Sequence, residues 1–316
     1  MLVVPLTQIR EVVREDQALR AIERAFVAFS RGDVTVPPVG HLDFPAAHGE
    51  LHVKYGWIRG SPTFVVKLAT GFYDNPLLGL PSGNGCMLVF CARTGRPLAL
   101  LEDEGWLTEL RTGIAGAIAA KWLAGTPIRR IGIVGCGVQA RFQLRCLRLV
   151  TDCRDVVVFG RNPAHVARYI EEMQAEGLRV VAAASPAAVA ASADIVVTTT
   201  PSRTPLLAAA DLRPGMHVTA VGADGGGKQE LAADCFARAD LCVVDSRAQC
   251  ERFGDSSFAV RTGHITPEQL VELGTVLTGT PPRQTRRDLI SIADLTGVAC
   301  QDIAIAELVA QALGVV

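Results

Sequence analysis

Ile131-Gly132-Ile133-Val134-Gly135-Cys136-Gly137-Val138-Gln139-Ala140 is the stretch on which the reading of the chain turns. Ile131 to Val134 reads as a short buried strand, Gly135-Cys136-Gly137 as a tight turn, and Val138 to about Val150 as a helix. Gly135, Gly137 and Ala140 fit the G-x-G-x-x-G/A fingerprint of a dinucleotide-binding turn. Gly135 permits the sharp reversal. Gly137 lets a pyrophosphate approach the backbone, and Ala140 lets the helix sit close to the strand. Free N–H groups and the dipole at the helix start favour phosphate charge.

C-terminal to this turn the pattern alternates between strand and helix. Strands are expected at Val156–Phe159, Arg179–Ala184, Asp194–Thr200, Met216–Gly222, Asp240–Asp245 and Leu289–Asp294. Helices are expected at Ala164–Gly177, Pro267–Leu277 and Gln301–Leu313. Such alternation predicts a doubly wound parallel sheet with right-handed crossovers, a Rossmann α/β domain.

N-terminal to the turn the pattern differs. Leu19, Ile22, Phe26 and Phe29 recur at helical spacing, which predicts an amphipathic helix over Asp16–Arg31. Val34–Gly40 reads as a Pro-rich connection. Strands follow at Leu51–Ile58, Thr63–Ala69, Gly85–Cys91 and Pro97–Glu102, joined by Gly- and Pro-containing turns. They predict an antiparallel meander. A helix rich in small residues follows from about Thr108 to Leu123.

The 316 residues suffice for two domains with ample cores, and the net charge of -1 gives no electrostatic case for nucleic acid or an anionic membrane surface. The expectation is no nucleic-acid partner and no membrane association. Arg10, Glu11, Arg14 and Glu15 make the N-terminus unlike a signal peptide, and no apolar run reaches the length of a membrane span. Nine scattered cysteines without a C-x-x-C pair suggest reduced thiols in the cytoplasm. No His/Cys cluster has zinc-ligand spacing, so no metal is expected.

Several stretches, taken together in order and spacing, resemble the ornithine cyclodeaminase and mu-crystallin family. They are Val65-Val66-Lys67-Leu68-Ala69, Leu107-Thr108-Glu109-Leu110-Arg111-Thr112, the turn Gly135–Arg141, Val221-Gly222-Ala223-Asp224 with the glycines after it, and Asp294 through Asp302. The resemblance implies a Rossmann domain over residues 123–297. It also implies an α+β substrate and dimerisation domain over 1–122, completed by a C-terminal helix at about 298–316. A homodimer through the sheet is expected, since meander strands otherwise leave an apolar face to be covered.

The resemblance also assigns roles. Lys67, costly in an apolar strand unless paired, and Arg111, suited to a bidentate clamp, become ligands of a substrate carboxylate. Asp224, at a carboxyl end of the parallel sheet, becomes the acid/base group facing the substrate nitrogen. Other members place an arginine near residue 41. Here the stretch is Pro37-Pro38-Val39-Gly40-His41, so His41 and Lys54 are the candidate substitutes. Gly135, Gly137, Val138, Gln139, Ala140, Arg161, Asn162, Thr199, Thr200, Gly222 and Val298 form the expected cofactor-binding set.

No Asp or Glu follows the second Rossmann strand, where Val158-Phe159-Gly160-Arg161-Asn162 stands. An acid there would hold the ribose hydroxyls of NAD, whereas Arg161 suits a 2′-phosphate. NADP(H) is therefore the expected cofactor, with NAD(H) the alternative. A second cation near the carboxylate site disfavours an ornithine or lysine ammonium. The expected reaction is reduction of the C=N bond of an imine carboxylate, such as pyrroline-2-carboxylate or a related ketimine. Ornithine cyclodeamination, an alanine-dehydrogenase-like reaction and non-catalytic small-molecule binding are the alternatives.

Overall fold

A computed structural model describes residues 1–279 and 288–316. The chain forms two compact units, residues 1–111 with 298–316, and residues 112–297. The sequence reading placed the change at residue 122, the end of the helix Trp106–Leu123; the division instead falls inside that helix. Its second half belongs to the Rossmann unit for a packing reason. A Cβ at Gly113 would lie 2.8 Å from Cys146 Sγ and from the Phe142 carbonyl oxygen, and one at Gly116 would lie 1.9 Å from Gln143 Oε1.

The first unit is built on strands β1 (Leu2–Pro5), β2 (Val34–Thr35), β3 (Gly40–Phe44), β4 (Gly49–Ile58), β5 (Thr63–Phe72), β6 (Gly83–Cys91) and β7 (Pro97–Glu102). Their order is β1-β7-β6-β5-β4-β2, with β3 also on β4. The sheet is mixed rather than wholly antiparallel, because β1 runs parallel to β7. One face carries Val65, Lys67, Met87, Val89, Ala99 and Leu101, all buried. The other carries Leu51, Phe64, Leu68, Leu88 and Phe90, only partly buried, with Phe64 and Phe90 stacked at 4.8 Å.

The last helix, Ala299–Ala312, completes this unit and is buried along most of its length. Two contacts fix it. Glu307 accepts hydrogen bonds from Thr63 Oγ1 at 2.6 Å and from Ser61 Oγ. Gly56 leaves room for Ile303, whose Cδ1 would lie 3.2 Å from a Cβ there.

The second unit holds β8 (Ile131–Val134), β9 (Asp155–Phe159), β10 (Arg179–Ala182), β11 (Ile195–Thr198), β12 (His217–Ala220), β13 (Leu241–Val244), β14 (Leu270–Glu272) and β15 (Ser291–Asp294). All pair in parallel, in the order β10-β9-β8-β11-β12-β15-β13-β14. The direction of winding reverses between β8 and β11, the place where open α/β sheets bind ligands. Pro267–Leu277 is not one helix. A 3-10 turn at Pro267–Gln269, closed by Thr266, leads into edge strand β14 and then a short helix, Leu273–Thr278. Among the described residues no helix is long and apolar enough to cross a membrane.

Candidate active site

Lys67 is the most unusual side chain of the first unit: it lies on interior strand β5 and is 1% exposed. An ammonium so placed needs an anion. Asp302, on the last helix, supplies it, with Lys67 Nζ 2.9 Å from Asp302 Oδ1. Arg111 Nε stands 3.0 Å from the same oxygen, an ion pair whose angle is too poor for a hydrogen bond, and its NH1 donates to Gln301 Oε1 at 3.3 Å. Lys54 adds a third positive charge: it is the cross-strand partner of Lys67, and its field reaches both Lys67 and Asp302.

Two buried cations thus share one carboxylate. Lys67 and Arg111 both face Asp302, and Asp103 is a further acid that senses Lys67. Asp103 is engaged at the start of the helix Trp106–Leu123, where Oδ2 accepts from Leu107 N at 2.8 Å. Burial lowers the pKa of Lys67 to about 7, against the pull of Asp302. Burial would raise Asp302, but Lys67 and Arg111 outweigh it and hold the carboxyl below its ordinary value. Asp302 Oδ2 and Gln301 Nε2 are buried without a hydrogen-bond partner among the described residues. Buried orphans beside two cations that share one carboxylate suit a small anionic ligand with polar atoms.

His41 does not join this group. It pairs across the ladder with His52, and its charged neighbours are Asp43 and Glu50. Asp302 and Gln301 are the members that sequence reasoning missed as site residues. Asp302 stands 235 positions from Lys67, and only the docking of the last helix brings them together.

In the second unit the glycine turn has the expected geometry. Gly135 has φ +112°, and a Cβ there would lie 2.6 Å from Thr199 Oγ1. Gly137 caps the helix Val138–Leu147 without a side-chain hydrogen bond, and a Cβ on it would meet nothing within 4 Å. The start of this helix, with Val138, Gln139 and Ala140, thus presents backbone N–H groups beside open space. The cradle fits a pyrophosphate.

Further groups hold its shape. Arg141 NH1 donates to the carbonyls of Cys136 at 2.7 Å and Gly137 at 3.0 Å, while its Nε donates to Glu172 at 2.5 Å. Glu230, fully buried, accepts from Thr198 Oγ1 at 2.7 Å, Thr200 N at 2.5 Å and Gly222 N at 2.8 Å. It ties the carboxyl ends of β11 and β12 together, and burial raises its pKa to about 7. A Cβ at Gly222 would lie 2.2 Å from the Thr200 oxygen, so only glycine fits. Arg161 is exposed beyond β9; Asn162 is spent on capping the next helix, accepting from Ala164 N at 2.9 Å. Val298, the buried cap of the last helix, lies in the first unit.

Asp224 lies in the loop after β12, exposed, with Lys228 Nζ 2.7 Å from its Oδ1. The sequence reading did not anticipate this i,i+4 pair. It gives the carboxylate a cationic neighbour within the glycine-rich loop.

The model of the ornithine cyclodeaminase/mu-crystallin family matches residues 2–314. The chain belongs to this family. It is 41% identical over 308 residues to an uncharacterised cyclodeaminase of Sinorhizobium fredii, covering 96% of this chain and 93% of the relative. Among solved structures, an archaeal alanine dehydrogenase dimer with bound NAD superposes with a TM-score of 0.90 at 32% identity, covering 99% of this chain and 95% of the other. The Thermococcus litoralis Delta(1)-pyrroline-2-carboxylate reductase, in complex with NADH and L-proline, superposes with a TM-score of 0.92 at 27% identity, covering 99% and 97%. The family therefore accounts for both units of the chain, including the returning last helix.

Proposed function

We propose that this protein reduces the C=N bond of an imine carboxylate, pyrroline-2-carboxylate or a related ketimine, at the expense of a reduced nicotinamide cofactor. The chain is an enzyme of the dehydrogenase, reductase and cyclodeaminase kind found in its family. The observation that carries the choice is the buried pair of cations on β5 and the helix Trp106–Leu123, Lys67 and Arg111 on the single carboxylate Asp302, with half-buried Lys54 opposite Lys67 on β4. Such a site attracts a carboxylate and repels a side-chain ammonium. Two unit charges at about 4 Å repel by about 1 kcal/mol in water and about 4 kcal/mol at the effective dielectric near a protein surface. A neutral ring imine or an acidic side chain escapes this cost.

In this reading Lys67 and Arg111 hold the substrate carboxylate and so orient the adjacent C=N bond. The cofactor, when bound, supplies the hydride for the imine carbon. Asp224 supplies the proton that the nitrogen takes up, and the amine product then leaves with its carboxylate intact. Gly135, Gly137 and the helix they introduce hold the pyrophosphate. Arg161, with no acid beside it at the end of β9, favours the 2′-phosphate of NADP(H) over NAD(H).

The reading includes a homodimer, supported by the partly exposed apolar face bearing Leu51, Phe64, Leu68, Leu88 and Phe90, which a second copy would cover. Nine free cysteines suit a cytoplasmic setting. The proposal is tested by following NADPH and NADH oxidation against a panel of cyclic imine carboxylates, and of 2-oxo acids with ammonia or methylamine. Saturable turnover of a cyclic imine with NADPH is expected. Turnover confined to 2-oxo acids with ammonia would replace this reading with an amino acid dehydrogenase.

A further inference from the structure

Strand β3 has little to hold it in place. Of its five residues only Gly40 is even half-buried; His41, Leu42, Asp43 and Phe44 are exposed, and it pairs with β4. Its ladder nonetheless builds a compact square of side chains on one face. His41 stands opposite His52, and Asp43 opposite Glu50. Residues two apart on a strand share a face, so all four point the same way.

The distances within this square are informative. His52 Nε2 lies 3.3 Å from Glu50 Oε2, His41 Nε2 lies 3.8 Å from the same oxygen, and His41 Nε2 lies 3.3 Å from Asp43 Oδ1. These exceed the 2.7–3.2 Å of ordinary N–H···O hydrogen bonds. The two 3.3 Å distances match instead the edges of a tetrahedron around an ion bound at 2.0–2.1 Å, which are about 3.3–3.4 Å long, and the 3.8 Å distance would have to close by about 0.4 Å. The ligand atoms of His41, Glu50 and His52 all lie within 4.8 Å of one another. The two imidazoles are stacked neighbours across the ladder, centroids 4.7 Å apart, and a rotation of the rings about their side-chain bonds would turn a nitrogen of each toward one point. Tyr73 donates its hydroxyl to Glu50 Oε1, leaving Oε2 to the histidine side. Such outer hydrogen bonds orient metal-binding carboxylates.

We propose that His41, Glu50 and His52 bind one divalent transition-metal ion of the zinc type, with Asp43 or water completing a tetrahedron. Imidazole and carboxylate together select this class of ion over calcium or magnesium. The ion clamps β3 to β4, supplying the attachment that burial does not. It sits on the same face as Lys54, which is two residues beyond His52 and so about 7 Å along the strand.

The test is calorimetric titration of the untagged, chelator-treated full chain with Zn²⁺ alone under reducing conditions. One ion per chain is expected to bind saturably at micromolar concentration and to raise the thermal unfolding midpoint. The variants H41A and H52A should abolish that binding, and Tyr73→Phe should weaken it by ~10–100-fold. X-ray absorption of the zinc-loaded wild type provides a reading that needs no variant: imidazole nitrogen and oxygen neighbours are expected. A sulfur-dominated shell, absence of saturable binding, or binding unchanged in the H41A/H52A double variant would each overturn the proposal.

Discussion

Lys54 and Lys67 face each other directly across the β4–β5 ladder, two lysines in register on one face of the sheet. Directly opposed like charges destabilise a sheet unless something compensates. Asp302 offsets part of the repulsion, and Arg111 restores the excess. In the proposed reading the pair faces the substrate carboxylate. Lys54→Glu should raise KM for an imine carboxylate by at least about tenfold, since a charge reversal at such range is worth more than the 1.4 kcal/mol that a tenfold change requires. The same variant should relax exclusion of diamino acids. Steady-state kinetics with both substrate types checks this; an unchanged ratio would place Lys54 outside the site.

Substrate affinity should fall as pH rises through neutrality. Lys67 loses its proton at about 7, far below the ordinary 10.5 of lysine, because burial penalises the ammonium. A substrate carboxylate prefers the charged form. KM should therefore be flat below pH 7 and climb above it, toward tenfold per pH unit. Lys67→Arg, which stays charged, should raise KM at neutral pH through altered geometry but flatten the climb. A wild-type KM independent of pH from 6 to 9 would contradict the assignment.

Asp302 should matter more to stability than to turnover. Removing it leaves Lys67 and Arg111 buried without their shared anion, and breaking a buried pair costs about 3–5 kcal/mol. Asp302→Asn should lower the urea midpoint accordingly, and a saturating carboxylate ligand such as L-proline should recover part of the loss. If L-proline stabilises wild type and variant equally, the site does not bind carboxylates through these cations.

The two glycines of the cofactor turn should fail differently. Gly135→Ala forces a side chain into φ +112° and against Thr199, so it should lose both cofactor binding and thermal stability. Gly137→Ala places its methyl in open space, so it should keep its stability and lose only cofactor affinity. Arg161→Ala should weaken NADPH more than NADH. Fluorescence titration beside a melting curve separates the three.

The Rossmann unit was readable because buried four-residue strands alternate with helices and the glycines mark the first turn. Edge elements were not. β1 carries only Leu-Val-Val-Pro and finds its partner in β7, some ninety residues on; β14 is three residues long and lies between a 3-10 turn and a helix, which together imitate one continuous helical pattern. Lys67 announced itself as a charge needing a partner, but its identity depends on how the last helix docks. The His41–His52 pair has no local spacing signal, because it arises from the register of β3 on β4.

The central claim is net reduction of an imine rather than cyclodeamination. It is tested most directly by incubating the enzyme in parallel with pyrroline-2-carboxylate plus NADPH, and with L-ornithine plus a catalytic amount of NAD. Cofactor oxidation, proline and ammonia are measured in both, for wild type and Asp224→Asn. The account predicts stoichiometric NADPH oxidation to proline in the first mixture, its loss in Asp224→Asn, and no ammonia in the second. Ammonia and proline formed from ornithine without net change in the cofactor would contradict it.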